Sequence, residues 1–322
     1  MKNRKYVFAA ALGMLLLILD SRCALESARQ GLELCIVTVI PSLFPFLFLS
    51  SILTAGLWGS RSRPLRLAAN CFRIPAGAES LLLSGFLGGY PSGAAAIGEA
   101  YQKGRLQPDT ARRLLACCSN AGPAFLFGMV APQFPDKAMV FLLWGIHMVS
   151  AALVSFCFPC PKEPQTVLDA KKLSVTQTMQ RSLRTMALIC GWILLFRIII
   201  GFLDRWVLWM LPEPVRILIW GFLELSNGCC ALGRIQSVSL RFVAAAAMIS
   251  FGGMCVAMQT ASVTYGLPVN AYWKGKVLQT LFSILLSAAA IHGLWVLAAI
   301  ILTAVLILPK DVKKEVAIRR LS

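Results

Sequence analysis

Charge is scarce in this chain and acid scarcer still: 14% of its 322 residues are Asp, Glu, Lys or Arg, and only 14 are acidic. Soluble domains carry about a quarter charged residues, so an ordinary soluble globule is excluded. Histidine is nearly absent, with His147 and His292 far apart in sequence and both inside apolar runs. Helix–helix hydrogen bonding is the expected role of each. No HExxH zinc pair, GxSxG nucleophile elbow, phosphate-binding P-loop or GxGxxG dinucleotide fingerprint occurs. The sequence therefore offers no catalytic constellation, so the chain is read as a non-enzyme with no resident metal and no cofactor. Without a nucleotide-hydrolysing motif, any transport would be gradient-driven or facilitated.

The cysteines do not fill this gap. There are 11, an odd number, and most lie in apolar runs, among them Cys35, Cys117, Cys118, Cys190, Cys229, Cys230 and Cys255. They read as small buried hydrophobes. The one Cys-x-x-Cys, Cys157 with Cys160, lacks the two further ligands of a structural zinc site.

Hydrophobic residues are abundant instead. They make up 58% of the chain, about 187 residues, and at about 20 per membrane helix the ceiling is roughly nine spans. Apolar stretches fall at 7–19, 31–57, 81–98, 114–131, 138–158, 186–203, 215–233, 242–264 and 277–308. The first follows Lys2, Arg4 and Lys5 like a signal peptide, but no small-x-small cleavage site follows it, so it is read as a retained first span. The last is long for one helix and is split at His292–Gly293.

Two stretches are unsuited to continuous helix. GFLGGYPSG (85–93) packs four glycines and a proline into nine residues, and GFLELSNGCC (221–230) places Glu224, Ser226 and Asn227 in an apolar window. Broken backbone survives in a bilayer only where protein or a watery cavity satisfies it, so both are expected to be re-entrant hairpins. Eight spans then remain. With the N-terminus in the cytoplasm, the segments 1–5, 58–79, 99–113, 159–185, 265–276 and 309–322 hold 23 of the 31 Lys and Arg. The outer segments 20–30, 132–137, 204–216 and 234–241 hold 7, and Arg197 lies within a span. This asymmetry follows the positive-inside rule. It also explains the net charge of +17 by topology and anionic lipid, with no nucleic acid involved.

The halves can be superposed in sequence. GFL at 85–87 matches GFL at 221–223, and LLACCSNAGPAF (114–125) falls opposite AAAAMISFGGMC (244–255), pairing Ser119 with Ser250 and Gly122 with Gly253. By the charge-derived topology the two copies run in opposite directions. Inverted repeats with broken helices are a secondary-transporter architecture, with the substrate site where the breaks meet. The expected fold is therefore an all-α polytopic membrane protein. Its parts are an N-terminal membrane helix (1–23), a first repeat (24–158), a cytoplasmic linker (159–183), an inverted second repeat (184–308) and a basic tail (309–322).

The blocks GGYPSGA (88–94), SNAGPAFLFG (119–128), LELSNGC (223–229) and SFGGMCVAMQTASV (250–263) resemble the four signature blocks of the nucleoside-recognition, or gate, domain membrane proteins. In order and spacing they resemble, more narrowly, the sporulation integral membrane proteins of the YlbJ type, also called the stage V sporulation protein V type. The resemblance spans roughly 24–308. It implies a fold related to concentrative nucleoside transporters and, in the sporulation branch, movement of dipicolinic acid from the mother cell across the outer forespore membrane. The chain departs from the pattern in being short for that branch and in carrying Met254 where the first copy has Pro123.

A transported small anion needs donors, and the N-terminal ends of half-helices offer free amides and a positive dipole end. Breaks at Gly89, Tyr90, Pro91, Ser92 and Gly93, and at Ser119, Asn120, Gly122 and Pro123, would provide them in the first repeat. Glu224, Ser226, Asn227, Ser250, Gly252, Gly253 and Gln259 are the counterparts in the second. Glu224 stands out because a carboxylate within a hydrophobic hairpin is costly and marks a pathway or a partner. The expected partners are a small organic anion and the lipid bilayer, with a coupling ion and a homo-oligomer left open. The competing readings are a nucleoside or other small-metabolite transporter of the cell membrane, and a non-transporting membrane scaffold.

Overall fold

The computed structural model describes residues 4–60, 62–159, 174–264, 266–294 and 296. Among these residues there are helices and turns and no strand. Helix α1 (Arg4–Leu19) stands apart with no buried residue. Its 16 residues fall short of the roughly 20 needed to cross a bilayer. Asp20 caps α2 (Ser21–Leu34), accepting from the Cys23 amide, and α2 runs through a π-helical turn (Cys35–Val39) into α3 (Ile40–Gly56). The short α4 (Arg63–Cys71) follows.

Next come two interrupted units. A π-helical turn (Leu83–Leu87) is joined by the bend 88–91 to α5 (Ser92–Gln102). Helix α6 (Pro108–Cys117) has Pro at its first position, where no amide is needed, and is separated by residues 118–122 from α7 (Pro123–Phe125). Helix α8 (Lys137–Cys157), capped by Asp136, ends this half. A long helix α9 (Val175–Trp206) leads to α10 (Glu213–Leu223) and α11 (Leu225–Ala231), joined by Glu224 alone. Helix α12 (Val238–Phe251) is broken from α13 (Gly253–Val263) at Gly252, and α14 (Asn270–Ile291) completes the described bundle. Helix α14 stops before His292 and Gly293, which takes φ 68°, as a left-handed glycine stop should.

Among the described residues, five helical stretches are long and apolar enough to span a membrane: Ser21–Gly56, Lys137–Cys157, Val175–Trp206, Val238–Val263 and Asn270–Ile291. This differs from eight for identifiable reasons. The run 7–19 forms a 16-residue helix, and 114–131 is interrupted where Asn-Ala-Gly-Pro breaks the hydrogen-bond ladder. The second half of 277–308 lies outside the described residues, as do the tail 309–322, Cys160 and most of the linker. Residues 175–183, read as linker, belong to α9, whose start Ser174 caps by accepting from the Gln177 amide. Residues 21–30, read as outer loop, belong to α2.

The bundle keeps polar side chains within its apolar core and presents apolar side chains outward. Along α14, Val277, Leu281 and Leu285 are 49%, 52% and 44% exposed, while Lys276, Gln279 and Ser283 on the opposite face are fully buried. Such a helix would be inside-out in water, and it suits a molecule whose solvent is lipid. The described part is thus a polytopic helical membrane protein.

Glycine pairs set two of the close helix crossings. A Cβ on Gly93 would lie 2.7 Å from the Gly85 Cα and overlap the Cys118 carbonyl oxygen. In the later half, a Cβ on Gly228 would overlap the Gly221 backbone. Each interrupted unit therefore folds back on itself at a glycine–glycine contact. Away from these crossings, Glu99 at the end of α5 binds Lys103 of its own helix region and Arg181 of α9. Burial pushes the Glu99 carboxyl up, but the two cations outweigh it and hold it below its ordinary value.

Two outcomes follow. Gly93→Ala and Gly228→Ala should each destabilise the protein by about 1–3 kcal/mol through overpacking. Gly145→Ala, where a Cβ meets nothing within 4 Å, should be neutral or slightly stabilising. Thermal unfolding in detergent distinguishes them. For Glu99, a depressed pKa means the ion pairs stabilise the fold above the unfolded carboxylate value of about 4.3 and cease to do so as pH falls through the folded value. With these side chains more than a third exposed, the loss should be about 1 kcal/mol or less, and Glu99→Gln should abolish it in a pH series of melting temperatures.

Candidate functional site

The interruptions converge. Gly89 and Tyr90 from the 88–91 bend, Gly122 from the α6–α7 break, Glu224 and Ser226 from the α10–α11 junction and Gln259 from α13 line one small cleft. Its apolar wall includes Ile189 and Ile193 of α9 and Val256 of α13. The cleft volume is only about 30 Å³. That admits about two waters, far below the 300–1,000 Å³ of ordinary ligand pockets.

Ligand-sized space lies next to it. An open cavity of about 600 Å³ is lined by Gln30, Glu33, Arg197, Trp220, Asn227 and Arg234, among others. Arg197 donates to the Gln30 side-chain oxygen and, among the described residues, has no carboxylate within ion-pair distance. Arg234 faces Glu213 at 3.8 Å, a long and exposed pair, and its guanidinium sits 6.0 Å from the Trp220 ring centre.

Glu224 separates the two spaces. One carboxylate oxygen accepts from the Ser226 amide at 3.0 Å. The other accepts from the Asn227 amide and the Asn227 side-chain Nδ2, both at 2.7 Å. Glu224 thus caps α11 and fixes Asn227, so a single hydrogen-bonded pair has one member on the cleft and the other on the open cavity. Its partner, which its burial demanded, is the N-terminus of the helix that follows it.

The other expected site residues fall into a layer behind the cleft. Ser119, Asn120 and Ser250 are fully buried. Asn120 Nδ2 donates to the Cys117 carbonyl at 2.7 Å, and its oxygen accepts from Gln279 Nε2 at 2.8 Å. Ser250 joins a closed ring with His147. The Ala121 amide donates to His147 Nε2 at 3.1 Å, which leaves the ring proton on Nδ1 to donate to Ser250 Oγ at 3.1 Å. Ser250 then donates to Ser283 at 2.6 Å, Ser283 to Ser150 at 2.9 Å, and Ser150 to the His147 carbonyl at 2.9 Å. His147 therefore ties the α6–α7 break to α12 in the helix–helix role expected of it.

The glycines and prolines serve the backbone. Gly252 and Gly253 take φ 83° and 84°, and Gly252 packs under the Tyr90 ring. Pro123 begins α7, and Pro91 and Ser92 lead into α5, where Gly93 makes the crossing described above.

Lys276 was missed. Counted by charge as part of a cytoplasmic segment, it lies instead within α14 with 0% exposure. Its ammonium donates to Tyr90 Oη at 2.8 Å, Gln279 Oε1 at 2.7 Å and the Ser119 carbonyl. The readable signal was a stripe: Lys276, Gln279, Ser283 and Ser287 recur at three- and four-residue steps, the spacing of one helix face.

Removing the Glu224 carboxylate should strand the amides of Ser226 and Asn227. Glu224→Ala should cost about 1–3 kcal/mol, and Glu224→Gln, which keeps one acceptor oxygen, should cost less. Thermal unfolding of the purified variants checks this order.

Comparison with known proteins yields one informative similarity. The sporulation integral membrane protein YlbJ of Bacillus subtilis (strain 168) is 22% identical over 294 aligned positions, which cover 75% of this chain and 71% of that protein. No protein-family model matches the chain, and no solved structure matches it. The chain is thus a polytopic helical membrane protein distantly similar to a sporulation membrane protein.

Proposed function

We propose that this protein is a secondary transporter of a small organic anion. The observation that carries the reading is the cavity of about 600 Å³ with Arg197 and Arg234 on its wall, joined through Glu224 and Asn227 to a cleft where the helix interruptions of both halves meet. Arg197, with no carboxylate within ion-pair distance among the described residues, makes the cavity attractive to an anion, and Arg234, loosely paired with Glu213, stands on the same wall. The narrow cleft fits a state closed at the centre and open on one side. The two halves would be inverted repeats. What supports this is the shared element order, together with the glycine crossings Gly85–Gly93 and Gly221–Gly228, in which Gly85 and Gly221 hold equivalent places in the GFL motifs.

In this reading the interrupted units are re-entrant hairpins and the N-terminus is cytoplasmic. Eight spans would require the short α1 and the interrupted 114–131 unit to cross as well, and the rest of the 277–308 run lies outside the described residues. The distant similarity to YlbJ favours a sporulation role, with dipicolinate as the cargo and the outer forespore membrane as the location in a spore-forming host. A neutral nucleoside would leave Arg197 without a counter-charge.

Proteoliposomes containing the purified protein should take up dipicolinate above empty vesicles, and Arg197→Gln should lower uptake about tenfold, equivalent to about 1.4 kcal/mol. Dipicolinate flux equal to empty vesicles overturns the anion reading. Nucleoside flux unaffected by Arg197→Gln would support the nucleoside alternative. No flux of either, with sporulation intact in Asn120→Ala and Glu224→Ala strains, would support a scaffold.

A further inference from the structure

We infer that the ammonium of Lys276 is a built-in cation, occupying an oxygen cage whose chemistry is that of a monovalent metal-ion site. Three oxygens surround Nζ, from the Tyr90 hydroxyl, the Gln279 side-chain amide and the Ser119 main chain. None is a carboxylate, and among the described residues Lys276 has no ion-pair partner. A fully buried lysine without a counter-ion is costly unless fixed dipoles replace its water. They do so here in two ways.

The Ser119 carbonyl follows the C-terminal end of α6, the negative end of that half-helix. The Tyr90 hydroxyl accepts from Nζ and donates onward to the Ile249 carbonyl at 3.3 Å, in the last turn of α12. Both broken helices thus direct their C-terminal ends toward one positive charge, directly in the first half and through Tyr90 in the second. The Tyr272 ring adds to this, with its centre 5.8 Å from Nζ. Unwound carbonyls and half-helix C-termini are the groups that hold coupling cations in transporters built from broken helices.

The role of a bound Na⁺ or K⁺ is here performed by a side chain that cannot leave. The lysine is linked to the cleft through Tyr90, which lines it and accepts from Nζ. The protein should therefore need no monovalent metal ion to hold the crossing together. This inference concerns cation binding alone, and stands whether or not the anion reading is correct.

The test is melting temperature in detergent, in choline, sodium and potassium chlorides at equal ionic strength. Wild type should be indifferent to the cation. Lys276→Ala, which empties the cage, should melt lower in choline and recover by about 2–4 °C or more in Na⁺ or K⁺. Lys276→Met, which fills the space with an apolar stem, should melt lower with no cation-specific recovery. Folded Lys276→Ala obtained only when Na⁺ or K⁺ is present throughout purification also supports the inference. A wild-type melting temperature that rises selectively in Na⁺ or K⁺ overturns it. So does a Lys276→Ala protein that gains nothing from either ion, or failure of both variants to fold in every salt.

Discussion

An interrupted helix surrounded by lipid leaves amides and carbonyls that only the protein can satisfy, and this molecule is organised around four such interruptions. Three of them have an answer from side chains within the bundle. Glu224 takes the amides at the start of α11, and Lys276 and Asn120 take carbonyls at the end of α6. His147 takes the Ala121 amide, and Tyr90 reaches the Ile249 carbonyl. Glu224 and Asn120 answer locally, but Lys276, His147 and Tyr90 come from elements distant in sequence, so satisfying the breaks also fixes how the bundle is assembled. Lys276 of α14 and His147 of α8 are both tied to the α6–α7 break.

Close approach is the second half of the same requirement. Side chains of ordinary length reach a buried carbonyl only if the backbones come near, and glycine removes the Cβ that would keep them apart. The Gly85–Gly93 and Gly221–Gly228 contacts draw each interrupted unit into a hairpin, and Gly93 also brings it against the Cys118 carbonyl at the α6 break. The cost is a centre with almost no free volume. The ligand-sized space consequently lies to one side, where Arg197, Trp220 and Arg234 line an open cavity.

Much of this was legible. The interruptions at 88–91, 118–122, Glu224 and Gly252 coincide with glycine, proline and polar clusters that have poor helix propensity, and six of the sixteen expected site residues line one cleft. Less legible were helix ends. Residues 21–30 and 175–183 look polar enough for loops, yet Asp20 and Ser174 cap them into helix. Asn120 and Ser250, expected at a ligand, bond within the layer behind the cleft, Asn120 to the Cys117 carbonyl and Gln279, and Ser250 to His147 and Ser283; Gln279, His147 and Ser283 are supplied by other helices that the local sequence does not reveal.

What the sequence by itself determined is the class and the punctuation: scarce charge and long apolar runs require a membrane, and glycine and proline clusters dictate where helices stop. Those are local properties, set by burial in lipid and by backbone torsion. The partner of each break was decided only by the tertiary structure. Lys276 is the clearest case, since one basic residue reads equally as a solvated loop charge or as a buried cation. Its meaning depends on which helix ends converge on it, and that convergence joins residues 157 and 186 positions apart.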